Sequence, residues 1–156
     1  MTTLKIASSV LLLLVAAFVW LAPIGPVPGV LIGGTESIAP DSWGQTSSVH
    51  EIRLKVNGGL LPRVVIIWVV QVENDLYIVG SRDSGWVSML VQYGSVQMRM
   101  GPNTYQMNAS AVTENWQLIL ERYQDKYRAD YPDIVNGFPT IEEAADTIAV
   151  FKLTAL

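Results

Sequence analysis

The sequence predicts a small antiparallel β-barrel carried behind a single N-terminal membrane-spanning helix. Three observations predict it. No charged residue occurs from Ile6 to Thr35. Beyond residue 48, short runs alternate apolar and polar residues at a period of two and are separated by tight-turn residues. Helical periodicity is confined to two or three short stretches between those runs. Six strands joined mostly by tight turns suggest a closed antiparallel barrel, and an open α+β sheet, which would leave edges to protect, is the alternative.

At 156 residues the chain has room for one domain beside its N-terminal segment. Half of the residues are hydrophobic and 15% are charged. From Glu36 onward, nine basic residues face fourteen acidic ones, a balance of −5 that speaks against nucleic acid as a partner. The chain has no cysteine, so disulfides, thiolate catalysis and cysteine-held metal centres are excluded.

Residues 1–24 read as a transmembrane anchor. The apolar run from Ile6 to Leu21, with Leu4 and Ala22 around it, is long enough to cross most of a bilayer core of about 30 Å. Trp20 suits the interface, and Pro23, Pro26 and Pro28 stop the helix. A cleaved signal peptide and a buried helix are the rivals. Lys5 points to a cytoplasmic N-terminus of a single-pass protein, with a bacterial inner membrane as the setting. Residues 25–47 form a Pro/Gly-rich linker, with Trp43 anchoring it to the domain that spans 48–156.

Within that domain, Val49 to Val56 alternates as a half-buried strand, and Asn57-Gly58-Gly59 turns it. Val64 to Val70 is apolar throughout and reads as a central strand. Asn74-Asp75 leads to a strand over Leu76–Val79. The polar loop Gly80-Ser-Arg-Asp-Ser-Gly85 follows, then two helical turns over Gly85–Tyr93 stopped by Gly94. Strands over Val96–Met100 and Tyr105–Val112 flank a Gly101-Pro102-Asn103 turn. Thr113 caps a helix reaching about Ala129, Asp130 to Pro139 reads as a loop, and Thr140-Ile-Glu-Glu143 is a capping box. The last strand covers Ile148–Leu153.

The Ser81–Trp86 loop is the place where chemistry fits. Ser81, Arg82 and Ser84 supply hydroxyls and a cation, and Gly85 and Trp86 open a helix whose N–H groups favour an anion. Arg63 could add a second cation, and Trp68 or Trp86 could cover a ring. The alternative is a connecting loop in which Arg82 pairs with Asp83 and Ser84 caps the helix. His50 shares a face with apolar residues and reads as a half-buried histidine with one hydrogen bond. No metal site is expected, and no hydrolase, phosphate-loop or dinucleotide motif is present.

Arg63, Trp68, the run Ser81-Arg-Asp-Ser-Gly-Trp86 and the late Val150-Phe-Lys-Leu153 together resemble the flavin-binding split-barrel family. These are the pyridoxamine-phosphate-oxidase-like and deazaflavin-dependent nitroreductase-like proteins. The resemblance covers roughly residues 45–154. It implies a six-stranded split barrel and a homodimer. It also implies a flavin or deazaflavin whose phosphate or anionic tail is held by Arg63, Ser81, Arg82, Ser84 and Gly85, with Trp68 and Trp86 near the ring. The segment Lys55-Val-Asn-Gly-Gly-Leu-Leu-Pro62 and Asp83 depart from the family pattern. With the anchor, the resemblance implies redox chemistry on a lipophilic acceptor in the membrane. The alternative is a non-catalytic accessory subunit, with no cofactor, whose helix docks on membrane-protein partner chains.

Overall fold

The computed structural model describes residues 2–21, 23–25, 27–44, 46–58 and 61–156, with the side chains of 2–5 and 17–20 outside the description. The elements are α1 (Thr2–Leu21), β1 (Thr35–Glu36), β2 (Glu51–Val56), β3 (Arg63–Trp68), β4 (Val70–Val72), β5 (Asp75–Ser81), α2 (Gly85–Tyr93), β6 (Ser95–Met100), β7 (Asn103–Ala111), α3 (Trp116–Arg128), α4 (Pro132–Asn136), α5 (Ile141–Thr147) and β8 (Ile148–Ala155).

Period-two patterning builds the wall of the molecule. Along β2, Ile52, Leu54 and Val56 are buried while Glu51, Arg53 and Lys55 face outward. The hydrogen-bonded order is β3-β2-β6-β7-β8-β5-β4. Only Val69 separates β3 from β4, so both ends of the sheet come from one stretch of chain. The sheet must therefore curl, and the architecture is a mainly-β half-barrel with several helices. Alternation continues through the break: Val65, Ile67 and Val69 face inward, and Trp68, Val70 and Val72 face outward.

Two apolar cores result. Inside the curl, Ile52, Leu54, Leu76, Ile78, Met98, Met107, Phe151 and Leu153 meet Val87 and Leu90 of α2. Outside it, α3, α4 and α5 cover β4, β5 and β8, with Leu120, Tyr123, Tyr127, Val135 and Ala144 on Val70, Val79 and Val150. The outward face of β2 and β6 has no helix on it among the described residues.

Several expectations are corrected. Among the described residues no helix is long and apolar enough to cross a membrane. The single-pass anchor, the inner-membrane location and the orientation drawn from them are therefore not upheld. The roles expected of Lys5, Trp20, Pro26 and Gly59 fall outside the described residues.

Among the described residues the fold has eight strands rather than six and five helices rather than two or three. One pairing is parallel: β1, inside the expected linker, pairs with β7 through Thr35 with Asn103 and Glu36 with Thr104. The apolar run after Pro62 is not one central strand, because it changes partner at Val69, from β2 to β5. The loop after residue 130 contains α4. Helix α3 starts at Trp116 with Asn115 at its N-cap (φ 55°), rather than at Thr113.

Other local readings match the structure. Helix α2 has the expected bounds and stops at Gly94 (φ 66°), whose N–H donates to Leu90 O. The Thr140–Glu143 capping box is complete. Trp43 packs edge-on against Tyr105, with centroids 5.2 Å apart.

Gly80 is where β5 turns toward α2. A Cβ there would stand 2.3 Å from Cζ2 of Trp86 and 2.7 Å from Cγ2 of Val87. Gly80→Ala is expected to destabilise the fold by about 1–3 kcal/mol through overpacking. A denaturation midpoint unchanged from wild type would mean that the indole swings clear.

Candidate functional site

The Ser81–Trp86 loop is held by its own backbone and by α5. Ser84 sits at the N-cap of α2 in extended conformation, but its side chain makes no capping bond. Its Oγ donates instead to Ser81 O at 2.7 Å, and its N–H donates to the same carbonyl at 3.0 Å. Ser81 Oγ accepts from the Asp83 N–H at 3.4 Å. The hydroxyls are thus spent on shaping the loop.

The two arginines go different ways. Arg82 donates from its backbone to Thr147 O at 2.8 Å and from Nη2 to Ala145 O at 3.3 Å, so it points toward α5. It makes no ion pair with Asp83. Arg63 lies across the start of α2. A Cβ on Gly85 would stand 2.6 Å from Arg63 Nη1, so the guanidinium fills the space that a side chain would need. Sequence distance hides this contact, because Arg63 opens β3 and Gly85 opens α2.

Trp86 is half-buried, with its six-membered ring against Gly80. Trp68 is elsewhere. It faces outward and stacks on Tyr127 with centroids 4.1 Å apart and planes 12° apart, with Tyr131 at 4.9 Å. The structure therefore brings Arg63, Ser84, Gly85 and Trp86 together, turns Arg82 aside and places Trp68 in another core. His50 is half-exposed, with Nε2 3.5 Å from Asp130 Oδ2.

Sequence reading missed Lys126. It extends from α3 toward the strand break, where Nζ donates to Val49 O and Val69 O, each at 2.7 Å, and to Thr46 O at 3.1 Å. Burial pulls its pKa down to about 8, while the three carbonyls hold the protonated form. A groove of about 770 Å³ opens beside it, lined also by Gln71, Glu73, Arg122 and Asp125. Its polar floor is already internally bonded: Gln71 accepts from Thr46 and donates to Glu73 O. The only early signal was a lysine flanked by Tyr123 and Tyr127 on the helix's apolar side.

No protein-family model and no curated protein sequence matches the chain. Its likeness is to solved structures. The haem storage protein HutZ of Vibrio cholerae superposes with a TM-score of 0.53 at 14% identity, over 70% of this chain and 84% of that one. A protein of Bacteroides thetaiotaomicron assigned to 5-nitroimidazole antibiotic resistance gives 0.52 at 14% identity, over 76% and 82%. A conserved hypothetical protein of Mycobacterium tuberculosis gives 0.50 at 12% identity, over 76% and 85%. At such identities the likeness shows the fold. The fold is that of the split barrels, shared with these neighbours.

Proposed function

We propose that this chain is a flavin-binding split barrel that holds the cofactor's phosphate beside Arg63 at the first turn of α2. The contact between Arg63 and Gly85 carries the reading. A guanidinium beside the N-terminus of a helix sets a positive charge against the positive end of the helix dipole. That arrangement is unfavourable until an anion sits beside both, and the pair then becomes an anion site with two positive contributions. Gly85 lets the Arg63 guanidinium approach the helix backbone closely, and Ser84 leaves the first-turn N–H groups without a side-chain cap.

A bound flavin would supply hydride or electron transfer; this chain's own residues bind and orient it. Arg63 would neutralise the phosphate, and Trp86 would wall the site on the Gly80 side. Arg82 and Trp68, expected in the same site, have no part in it, because one faces Ala145 and the other Tyr127. The lipophilic acceptor rested on the membrane anchor and is not carried forward.

Titration of flavin mononucleotide, read by quenching of its fluorescence, tests the reading. Wild type is expected to bind it. Arg63→Met is expected to lose roughly tenfold or more in affinity, about 1.4 kcal/mol. Arg82→Met is expected to bind as wild type. A deazaflavin with an anionic tail, run in parallel, distinguishes the ring system. Equal binding by wild type and Arg63→Met, or binding of neither probe by wild type, would overturn the reading.

A further inference from the structure

A pair of arginines faces across two strands on the opposite side of the wall. Arg53 of β2 and Arg99 of β6 are directly paired in antiparallel register. Residues so paired share a face, with Cα atoms about 4.5–5.5 Å apart, and like charges there repel. Both point to the outer surface, since Ile52, Leu54 and Met98 face the core. Lys55, two residues along the same face, adds to the positive field. Among the described residues neither arginine is in an ion pair.

The two side chains are not equivalent. Arg99 is fixed: Nε donates to Gly101 O at 3.0 Å and Nη1 to Ile32 O at 3.1 Å. Those carbonyls use two of its five N–H donors and cancel none of its charge. Arg53 has no hydrogen bond of its side chain among the described residues. Between them lies a groove of about 230 Å³ lined by Glu51, Ile52, Arg53, Ile66, Arg99 and Gly101. Glu51 bounds the groove but stands beyond ion-pair distance of both arginines.

We propose that this groove binds the phosphate group of a small molecule. Arg99 is the preset cation, Arg53 is the fork that closes on the anion, and Ile66 is the apolar wall beside it. An oxyanion between the guanidiniums turns a repulsive cross-strand pair into two charge-assisted contacts. The groove lies on the outer face of the sheet, whereas Arg63 faces α2 at the inner core, so it is separate from the proposed cofactor site.

Inorganic phosphate, titrated at constant ionic strength and followed by phosphorus NMR line broadening, is the probe. Wild type is expected to bind it, Arg53→Met to weaken it roughly tenfold or more, and Arg53→Lys to fall between. Glu51→Gln is expected to tighten it by removing a nearby negative charge. Arg63→Met is expected to leave in place the component of phosphate binding that Arg53→Met removes. Arg53→Met should fold normally, because it removes a repulsion and no hydrogen bond, and phosphate should raise the melting temperature of wild type more than that of this variant. Binding unaffected by Arg53→Met, binding abolished by Arg63→Met alone, or an equal effect of chloride would each overturn the proposal.

Discussion

Tyr127→Ala is expected to destabilise the protein by about 4–5 kcal/mol, at the upper end for removal of a buried aromatic ring. Tyr127 is fully buried and joins three parts of the structure. Its ring stacks on Trp68 and meets Tyr123 at 5.2 Å. Its hydroxyl lies 2.6 Å from His50 O and 2.7 Å from Val69 O, and accepts the Val69 N–H at 2.9 Å. Val69 is the residue at which β3 gives way to β4, so the hydroxyl serves backbone groups that the sheet ladder does not pair there. Tyr127→Phe separates the two contributions: it keeps the stack, and its expected cost is about 1–3 kcal/mol for the stranded polar groups. Burial also raises the pKa of Tyr127, so its ionisation would oppose folding in strong alkali. Equal stability of Tyr127→Phe and wild type in denaturant would show that water replaces the hydroxyl.

Lys126→Met is expected to cost about 2–3 kcal/mol, the usual loss for hydrogen bonds to a charged group. The ammonium ties the segment Thr46–Val49 to Val69, and methionine would fill the aliphatic space while leaving three carbonyls without it. The pH dependence has a definite sign. The folded pKa, about 8, lies below the ordinary lysine value of about 10.4, so between these values the unfolded chain binds more protons than the folded one. Lys126 therefore contributes a rise in stability as pH increases from about 8 toward 10.4. Its burial cost is present in full below that window. Subtracting the profile of Lys126→Met removes the opposing contribution of Tyr123 and Tyr127, whose pKa values burial raises. A difference profile flat from pH 8 to 10 would contradict a half-buried, partly desolvated amine.

Both residues lie where the sequence is hardest to read. Local features were legible: the alternation of β2, the nine residues of α2, the glycine that stops it and the capping box at Thr140 depend on neighbours within a few positions. Partnerships over long separations were not. Nothing near Trp68 announces that its ring belongs to Tyr127, 59 positions on, rather than to the Ser81–Trp86 loop. The unbroken apolar run Val64–Val70 conceals a change of partner at Val69, because period-two burial continues through it. The parallel pairing of β1 rests on two residues, Thr35 and Glu36, too few to carry a pattern. The uncharged N-terminal run matched the composition of a membrane span, but composition alone does not establish that a helix crosses one.

The predicted site divides the same way. Ser81 and Ser84 stand where a strand-to-helix turn puts them, but their hydroxyls are used within the loop. Arg82 and Arg63 looked alike as candidate cations; only the tertiary structure turns one to Ala145 and lays the other on Gly85. The facing pair Arg53 and Arg99 depends on strand register, which sequence alone left open.

The most direct test of the flavin-binding proposal is the visible absorbance spectrum of the full-length chain purified gently from the cells that make it. The Arg63 site predicts a flavin or deazaflavin band in stoichiometric amount, lost from Arg63→Met and retained in Arg82→Met. A colourless wild-type protein that also takes up no added flavin mononucleotide or deazaflavin would contradict it.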